Sequence, residues 1–163
     1  MPKKVIAISG SPGVGKSTLA KILSKELKLA RFDISKHYKK VSISYNKEKQ
    51  CYDVDIKKFV LLIKEKLKEN EGLIVDSHIA HLLPKSLVSL CIILTCSNLK
   101  VLEKRLKKRK YSQKKIRENL DAEIFQICLV EAKEKRHKVL EINGCKKVNN
   151  KELVKKIIKT YKN

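Results

Sequence analysis

Residues 10–17, Gly-Ser-Pro-Gly-Val-Gly-Lys-Ser, constrain the fold of this chain more than any other segment. They fit the pattern Gly-x-x-x-x-Gly-Lys-Ser/Thr, in which glycines let the backbone curl so that successive N–H groups point at phosphate oxygens. An apolar run at residues 4–9 precedes the pattern, and an amphipathic segment follows it from Ser17. A loop of this kind between a buried strand and a helix predicts a phosphate-binding site.

The side chains of this segment suit a triphosphate. Lys16 can reach the β- and γ-phosphates, and the Ser17 hydroxyl can ligate Mg²⁺. The start of the following helix adds partial positive charge at the same place. A glycine-rich turn without a ligand is the alternative. Because three of the chain's five glycines fall here, between a strand and a helix, nucleotide binding is favoured.

Apolar runs alternate with amphipathic segments along the rest of the chain. Further strands are predicted at residues 30–34, 73–75, 87–95 and 139–142. Helices are predicted after the phosphate loop, from Asp55 to Gly72, from Leu99 into the basic residues 107–110, from Gln113 to Arg136 as one long helix, and at the C-terminus.

We therefore expect an α/β fold of the P-loop NTPase type, with a five-stranded parallel sheet and helices on both faces. The length of 163 residues fits one compact domain, residues 1–163. The long helix is expected to turn Ile124, Ile127 and Cys128 inward, whereas residues 35–54 are polar and mixed and show no clear pattern.

The composition favours a soluble protein of the cytoplasm. A hydrophobic fraction of 42% is enough for a core and excludes a wholly disordered chain. No apolar run approaches the roughly 20 residues needed to cross a bilayer. The first residues lack the apolar core and cleavage site of a secretory signal.

The cysteines are expected to be buried free thiols. The chain has five of them, at positions 51, 91, 96, 128 and 145, and no Cys-x-x-Cys pair. Several lie within apolar runs, which fits small buried side chains better than a disulfide framework or a zinc site.

The formal charge of +22 has two readings. A chain rich in lysine can simply carry solvated, basic helix faces. Alternatively, its field draws the protein to polyanions, since each neutralised phosphate releases counterions. Charge alone does not decide between them.

Asp76 and His78 stand after the apolar strand at 73–75. A carboxylate at this place can hold the water shell of Mg²⁺ or orient a nucleophile beside the loop, and capping of a following helix is the alternative. His78 can contact bound nucleotide or position a water molecule, and an ordinary polar loop residue is the alternative. His81 follows within one turn, and neither histidine has partners spaced for zinc.

Three segments together resemble the adenylate kinase isoenzyme 6 family of P-loop nucleoside monophosphate kinases. They are the loop Gly-Ser-Pro-Gly-Val-Gly-Lys-Ser-Thr, the element Asp76-Ser-His78, and the run from Arg105 to Ser112 that leads to Glu-Asn-Leu-Asp-Ala-Glu-Ile-Phe-Gln at 118–126. The resemblance covers about residues 4–140, and the last run is its most specific part.

This resemblance implies a set of site residues and two mobile regions. Gly13, Gly15, Lys16, Ser17 and Thr18 would hold ATP phosphates, and Ser17 with Asp76 would place Mg²⁺. Arg109 would be the lid arginine that stacks on adenine or clamps the transferred phosphoryl group. Residues 108–118 would form a short lid, and residues 33–56 the acceptor-nucleotide region.

Charge in the lid agrees with this assignment. Five basic residues lie beside a helix that Ser112 caps, and they are Arg109, Lys110, Lys114, Lys115 and Arg117. Phosphoryl transfer needs a mobile cover that excludes water and carries cationic groups to the phosphates. An exposed basic helix start is the alternative.

The chain departs from the family pattern at three places. Lys110 stands where the family has glycine, and Lys39 stands where it has an arginine, which forms a bidentate phosphate contact that lysine does not. The family's acidic stretch is replaced by Tyr45-Asn46-Lys47-Glu48.

Three functions follow as hypotheses. The first is Mg²⁺-dependent transfer of the γ-phosphoryl group from ATP to AMP, with Lys16 and Arg109 stabilising the transferred charge. The second is an ATPase in which water attacks the γ-phosphate with help from His78. For this ATPase, the family resemblance implies a role in small ribosomal subunit maturation, with a platform protein and pre-ribosomal RNA as partners. The third is a nucleotide-switched module that binds RNA or protein, against which few arginines and 5% aromatic residues argue.

Overall fold

The computed structural model describes residues 4–163. The strands are β1 (Lys4–Ser9), β2 (Ala30–Asp33), β3 (Ser42–Asn46), β4 (Cys51–Val54), β5 (Gly72–Asp76), β6 (Val88–Thr95) and β7 (Val139–Asn143). The helices are α1 (Lys16–Leu27), α2 (Tyr38–Val41), α3 (Ile56–Glu69), α4 (Leu99–Lys108), α5 (Gln113–Ile124), α6 (Ile127–Glu134) and α7 (Asn150–Lys162). Two short 3₁₀ turns lie at Ile34–Lys36 and Ala80–Leu82.

Five strands form one parallel sheet in the order β2-β5-β1-β6-β7. The first strand lies at the centre, so the loop that follows it emerges between the carboxyl ends of β5 and β6. In open parallel sheets, ligands bind outside these carboxyl ends. The order of the strands therefore brings residues 10–17, Asp76 and Cys96 to one edge of the sheet.

Two apolar layers cover the sheet, one on each face. On one side Phe59 and Ile63 of α3 and Leu129 of α6 pack on inward residues of the strands. On the other side α1, α4, α5 and α7 contribute Leu23, Leu102, Ile116 and Ile157, among others. Burial on both faces explains why β5 and β6 are continuous apolar runs. The predicted five-stranded parallel sheet with helices on both faces is confirmed.

The predicted single helix from Gln113 to Arg136 is wrong. It consists of α5 and α6, separated at Phe125 and Gln126, and Gln126 adopts a left-handed conformation with φ of 51°. This break between α5 and α6 changes which of their residues face the core. Ile124 and Ile127, which were expected in the core, are 54% and 42% exposed, whereas Cys128 is partly buried against the core.

Residues 35–54, where the sequence shows no clear pattern, contain α2 and an antiparallel hairpin of β3 and β4. Tyr45 lies opposite Tyr52 in the hairpin register. The rings of Tyr38 and Tyr52 stack with centroids 4.4 Å apart, and Tyr45 meets Tyr52 edge-on at 4.9 Å. A two-stranded hairpin is too small to have a hydrophobic core of its own. The contacts among Tyr38 of α2 and the two hairpin tyrosines therefore supply side-chain packing for it.

The expectation that all five cysteines are free is also wrong. Cys96 and Cys145 form a disulfide that links the residues just beyond β6 and β7, with Cα atoms 5.1 Å apart. Since β6 and β7 are neighbours in the sheet, residues 49 apart in sequence come within bonding distance. Within residues 4–163, no helix is both long and apolar enough to span a membrane.

Candidate active site

The loop after β1 has the backbone conformation that the glycine pattern predicts. Gly13 and Gly15 have φ values of 84° and 100°, in the left-handed region that favours glycine. Gly15 directly precedes α1, so the N–H groups of the first helical turn face the space that the loop encloses. This arrangement suits an anionic ligand.

Lys16, the first residue of α1, turns its side chain into the loop. Its Nζ donates hydrogen bonds to the carbonyl oxygens of Gly10 and Ser11, at 2.7 and 2.8 Å. Burial lowers the pKa of Lys16 to about 8, while the carboxylate of Asp76 opposes this shift. The ammonium group is therefore held inside the loop, ready to exchange carbonyl oxygens for phosphate oxygens.

Ser17 and Thr18 follow in the first turn of α1, and both are exposed. Thr18 lines the cleft described below. The Ser17 hydroxyl is a hard oxygen donor at the end of the helix where a phosphate would bind, which suits Mg²⁺.

Asp76, the last residue of β5, is 4% exposed and is paired with Arg31. The guanidinium donates from Nε and Nη2 to the same oxygen, Oδ2, at 3.2 and 2.7 Å. It also contacts Asp33 Oδ2 at 3.0 Å. Both bonds to Asp76 use one oxygen, so Oδ1 faces no donor of Arg31. Sequence reasoning missed Arg31, whose partner is 45 residues away.

The two histidines after β5 have different surroundings. His78 is partly buried, and burial followed by the charge of Lys16 lowers its pKa to about 4, so its ring is neutral at pH 7. His81 is buried between Ser9 and Glu131, with its Nδ1 2.6 Å from Ser9 Oγ and its Nε2 2.6 Å from Glu131 Oε2. The charge of Lys16 thus acts on the His78 ring, whereas both ring nitrogens of His81 have partners within the fold.

A cleft of about 560 Å³ opens beside the phosphate loop, and Arg109 lines it together with Gly13, Gly15 and Thr18. Arg105, one helical turn before Arg109, also lines the cleft and donates from Nη1 to the Gly13 carbonyl at 2.9 Å. Arg109 directly follows the last residue of α4, and its spacing of four residues from Arg105 is the signal by which Arg105 could have been found.

The segment after β7 forms another wall of the same cleft, through Asn143, Gly144 and Lys146. Gly144 donates its N–H to the Thr95 carbonyl at 2.8 Å. A Cβ at Gly144 would lie 1.9 Å from the Val14 carbonyl oxygen, so the close approach of this segment to the loop requires glycine. From the sequence, Asn143-Gly144 is recognised only as the end of a strand.

Four of the five basic residues expected at the lid have different surroundings. Arg109 lines the cleft, but Lys114 is paired with Glu48 and Arg117 with Asp121. Lys115 is buried over the Tyr111 ring, 4.0 Å from its centroid, and donates to the Gln50 carbonyl.

Gln50 joins the hairpin to the segment that follows α4. Its Oε1 accepts the N–H of Ser112 at 2.8 Å, and its carbonyl accepts Lys115. The ion pair of Glu48 and Lys114 adds to the same contact. Residues 33–56 and 108–118 are therefore in contact, and two lid cations, Lys114 and Lys115, take part in that contact.

The donors present fit a phosphate-bound Mg²⁺ better than an all-protein metal site. Within the described part of the chain, no group of three or more His, Cys, Asp or Glu could hold a metal. Mg²⁺ commonly uses one or two protein oxygens, several waters and substrate phosphates. The Ser17 hydroxyl and Asp76 Oδ1 are oxygens of this kind.

Comparisons with known proteins agree with this geometry. Residues 6–126 match the family described as AAA domain. A Methanocaldococcus jannaschii protein named "Putative adenylate kinase" is 37% identical over 136 residues, which cover 82% of this chain and 75% of that protein. A Schizosaccharomyces pombe protein named "Adenylate kinase isoenzyme 6 homolog" is 37% identical over 131 residues, 79% of this chain and 74% of its own length.

Among solved structures, shikimate kinase from Acinetobacter baumannii in complex with shikimate is similar with a TM-score of 0.62. The match covers 96% of this chain and 92% of that chain, at 14% identity. At this identity the likeness shows a shared fold.

Proposed function

Because the chain belongs to the adenylate kinase isoenzyme 6 family of P-loop kinases, we propose that it transfers the γ-phosphoryl group of ATP to AMP and so forms two molecules of ADP. The observation that carries this proposal most is the inward position of Lys16, whose ammonium lies on the loop carbonyls beside a cleft lined by Arg109.

Positioning and charge dominate this reaction, since phosphoryl transfer requires little covalent chemistry from the protein. In the proposed complex, the loop N–H groups between Gly13 and Thr18 hold the phosphates of ATP. The Lys16 ammonium leaves the carbonyls of Gly10 and Ser11 and contacts the oxygens of the transferred phosphoryl group. Arg109 contacts the same group from the other side of the cleft. Cationic groups that meet the charge developing on the transferred group stabilise the transition state more than the ground state.

Mg²⁺ would be held by the Ser17 hydroxyl and, through water, by Asp76. When bound, it neutralises charge on the phosphate oxygens. Both hydrogen bonds from Arg31 go to Oδ2 of Asp76, so that Oδ1 is the oxygen available to the metal's water shell.

We assign residues 33–56 to the acceptor-nucleotide region and residues 108–118 to a short lid, within a single domain of residues 1–163. Their contact through Gln50 and Ser112 supports a shared movement of these two segments. Closure of such segments excludes water from the phosphates.

One stoichiometric assay tests the proposal. Purified protein is incubated with ATP alone and with ATP plus each nucleoside monophosphate, and ADP and inorganic phosphate are both measured. Transfer to AMP forms two ADP for each ATP consumed without releasing phosphate, so we expect AMP to produce an excess of ADP over phosphate. Equal amounts of ADP and phosphate, unchanged by any monophosphate, would contradict the kinase proposal.

The position of His78 favours ATP hydrolysis as a second activity of the same site. Its ring is neutral at pH 7 and lies near Lys16, so it can accept a hydrogen bond from an attacking water. We propose that this ATPase acts in small ribosomal subunit maturation, in the cytoplasm, where a charge of +22 suits binding to pre-ribosomal RNA and a platform protein. A His78→Ala variant that hydrolyses ATP at the wild-type rate would contradict the role of His78.

A further inference from the structure

A carboxylate outside the proposed catalytic set lies against the phosphate loop. Glu123 stands in the last turn of α5, one residue before the helix ends, and its side chain is buried. It belongs to the run 118–126, the part of the sequence that most resembles the family. Within residues 4–163 no lysine or arginine forms an ion pair with it, so its two hydrogen bonds must compensate its desolvation.

The two carboxylate oxygens of Glu123 hold two different segments. Oε2 accepts a hydrogen bond from the Ser11 hydroxyl at 2.9 Å. Oε1 accepts the backbone N–H of Cys96 at 2.7 Å. Ser11 lies in the first turn of the phosphate loop, and Cys96 follows β6. Glu123 therefore connects the loop to the end of the neighbouring strand, a place fixed by the sheet and by the disulfide to Cys145.

Ser11 is bound from two sides. Its carbonyl accepts Lys16 Nζ at 2.8 Å, while its hydroxyl donates to Glu123. When Lys16 moves to a phosphate, the Ser11 and Gly10 carbonyls lose their donor, and Lys16 no longer holds the first turn of the loop. The hydrogen bond from Ser11 to Glu123 does not depend on Lys16 and remains.

We infer that Glu123 is a positioning residue for nucleotide binding, which acts through Ser11 to hold the first turn of the phosphate loop when Lys16 engages the triphosphate. This inference rests on the proposed binding of ATP but not on the identity of the acceptor. A hydrogen bond between two buried partners is suited to this task, because it ties the Ser11 hydroxyl to a side chain that is itself held by the backbone N–H of Cys96. The loop then needs little reorganisation when the ligand arrives.

A double-mutant cycle on ATP affinity tests this inference. The dissociation constant of a non-hydrolysable ATP analogue with Mg²⁺ is measured by calorimetry for wild type, Ser11→Ala, Glu123→Ala and the double variant. If Glu123 acts through Ser11, each single change weakens binding about tenfold, and the double variant is also about tenfold weaker. Independent effects would give about a hundredfold loss in the double variant and would overturn the inference.

Two further variants separate positioning from folding and from charge. Glu123→Gln retains an acceptor for Cys96 N–H and offers an amide N–H to Ser11 Oγ, so we expect an affinity within about threefold of wild type. A loss as large as that of Glu123→Ala would assign the effect to charge and contradict the inference. Glu134→Gln, an exposed change on α6, is the matched control for removal of one carboxylate.

The outcome is distinguishable from a failure of the proposed function. If wild-type protein does not bind the analogue, the proposed function fails. If wild type binds and Ser11→Ala binds equally well, the inference alone fails. Ser11→Ala removes only one hydroxyl from the loop. Its affinity for the ATP analogue therefore still tests the inference if Glu123→Ala does not fold.

Discussion

The Arg31 guanidinium lies 2.7 Å from Asp76 Oδ2 and 3.0 Å from Asp33 Oδ2, and thereby bridges the carboxylates at the ends of two adjacent strands. Asp33 and Asp76 are register partners in the β2–β5 pair, so without Arg31 two negative charges would face each other at the edge of the sheet. Arg31 therefore balances the negative charge of Asp76, the carboxylate that lies at the same edge of the sheet as the phosphate loop.

Replacement of Arg31 tests this relationship. We expect Arg31→Leu to lower the free energy of unfolding by about 3 kcal/mol, because it leaves a buried carboxylate without its partner. Urea denaturation followed by circular dichroism measures the change, and Lys25→Leu on the exposed side of α1 is the control. A loss no larger than in the control would show that the bridge is not needed for stability.

The pKa of Lys16 predicts proton uptake on nucleotide binding. In the free protein this pKa is about 8, and phosphate oxygens raise it in the complex. Below pH 8 the side chain is charged in both states, so binding takes up no proton. Above pH 8 the free side chain loses its proton while the complex keeps it, so affinity falls as the pH rises and binding takes up as much as one proton.

Calorimetry in buffers of different ionisation enthalpy measures this uptake at about pH 7 and about pH 9. We expect little uptake at the lower pH and a clear uptake at the higher one. Lys16→Arg, which keeps its charge throughout this range, is the matched control and should show none. Equal uptake by wild type and Lys16→Arg at the higher pH would be inconsistent with titration of Lys16.

The disulfide between Cys96 and Cys145 predicts a dependence of stability on reductant. It closes a loop between residues 49 apart, and closure of such a loop restricts the unfolded chain. We expect reduction, or Cys145→Ser, to lower the free energy of unfolding by about 3 kcal/mol. Cys51→Ser removes a free thiol and serves as the control. Unchanged stability after reduction, verified by a thiol count, would be the opposing result.

Lys110 predicts a stabilising substitution in the lid. Its φ is 58°, which strains a residue with a Cβ, and it stands where the family resemblance expects glycine. We expect Lys110→Gly to raise the free energy of unfolding by about 0.5 kcal/mol, since relief of strain slightly exceeds the added entropy of the unfolded chain. Lys110→Ala removes the same charge but keeps the Cβ, so a gain of equal size in both variants would argue against backbone strain.

Local sequence patterns were sufficient for the phosphate loop and the sheet. The apolar run before Gly10 and the helical periodicity after Lys16 depend on neighbours in sequence, and both were predicted at nearly their observed positions. The start of a helix at Asp55 was likewise predicted, and the Asp55 side chain caps α3 by accepting the N–H groups of Lys57 and Lys58.

The remaining features depend on contacts between distant segments. No glycine or proline marks the break at Gln126, so the helical pattern of α5 continues through it in the sequence. The cysteine spacing could not reveal that Cys96 and Cys145 follow adjacent strands. Glu123 is a polar position in an amphipathic pattern, and only the tertiary structure shows that it is buried against Ser11.

The most direct test of the account is the rate of ADP formation from ATP plus AMP by Lys16→Ala, with Lys21→Ala on the exposed face of α1 as control. Loss of the Lys16 ammonium from the loop should reduce the rate at least about a hundredfold, while the control stays near wild type. Wild-type rates from a folded Lys16→Ala protein would contradict the assignment of phosphoryl transfer to this loop.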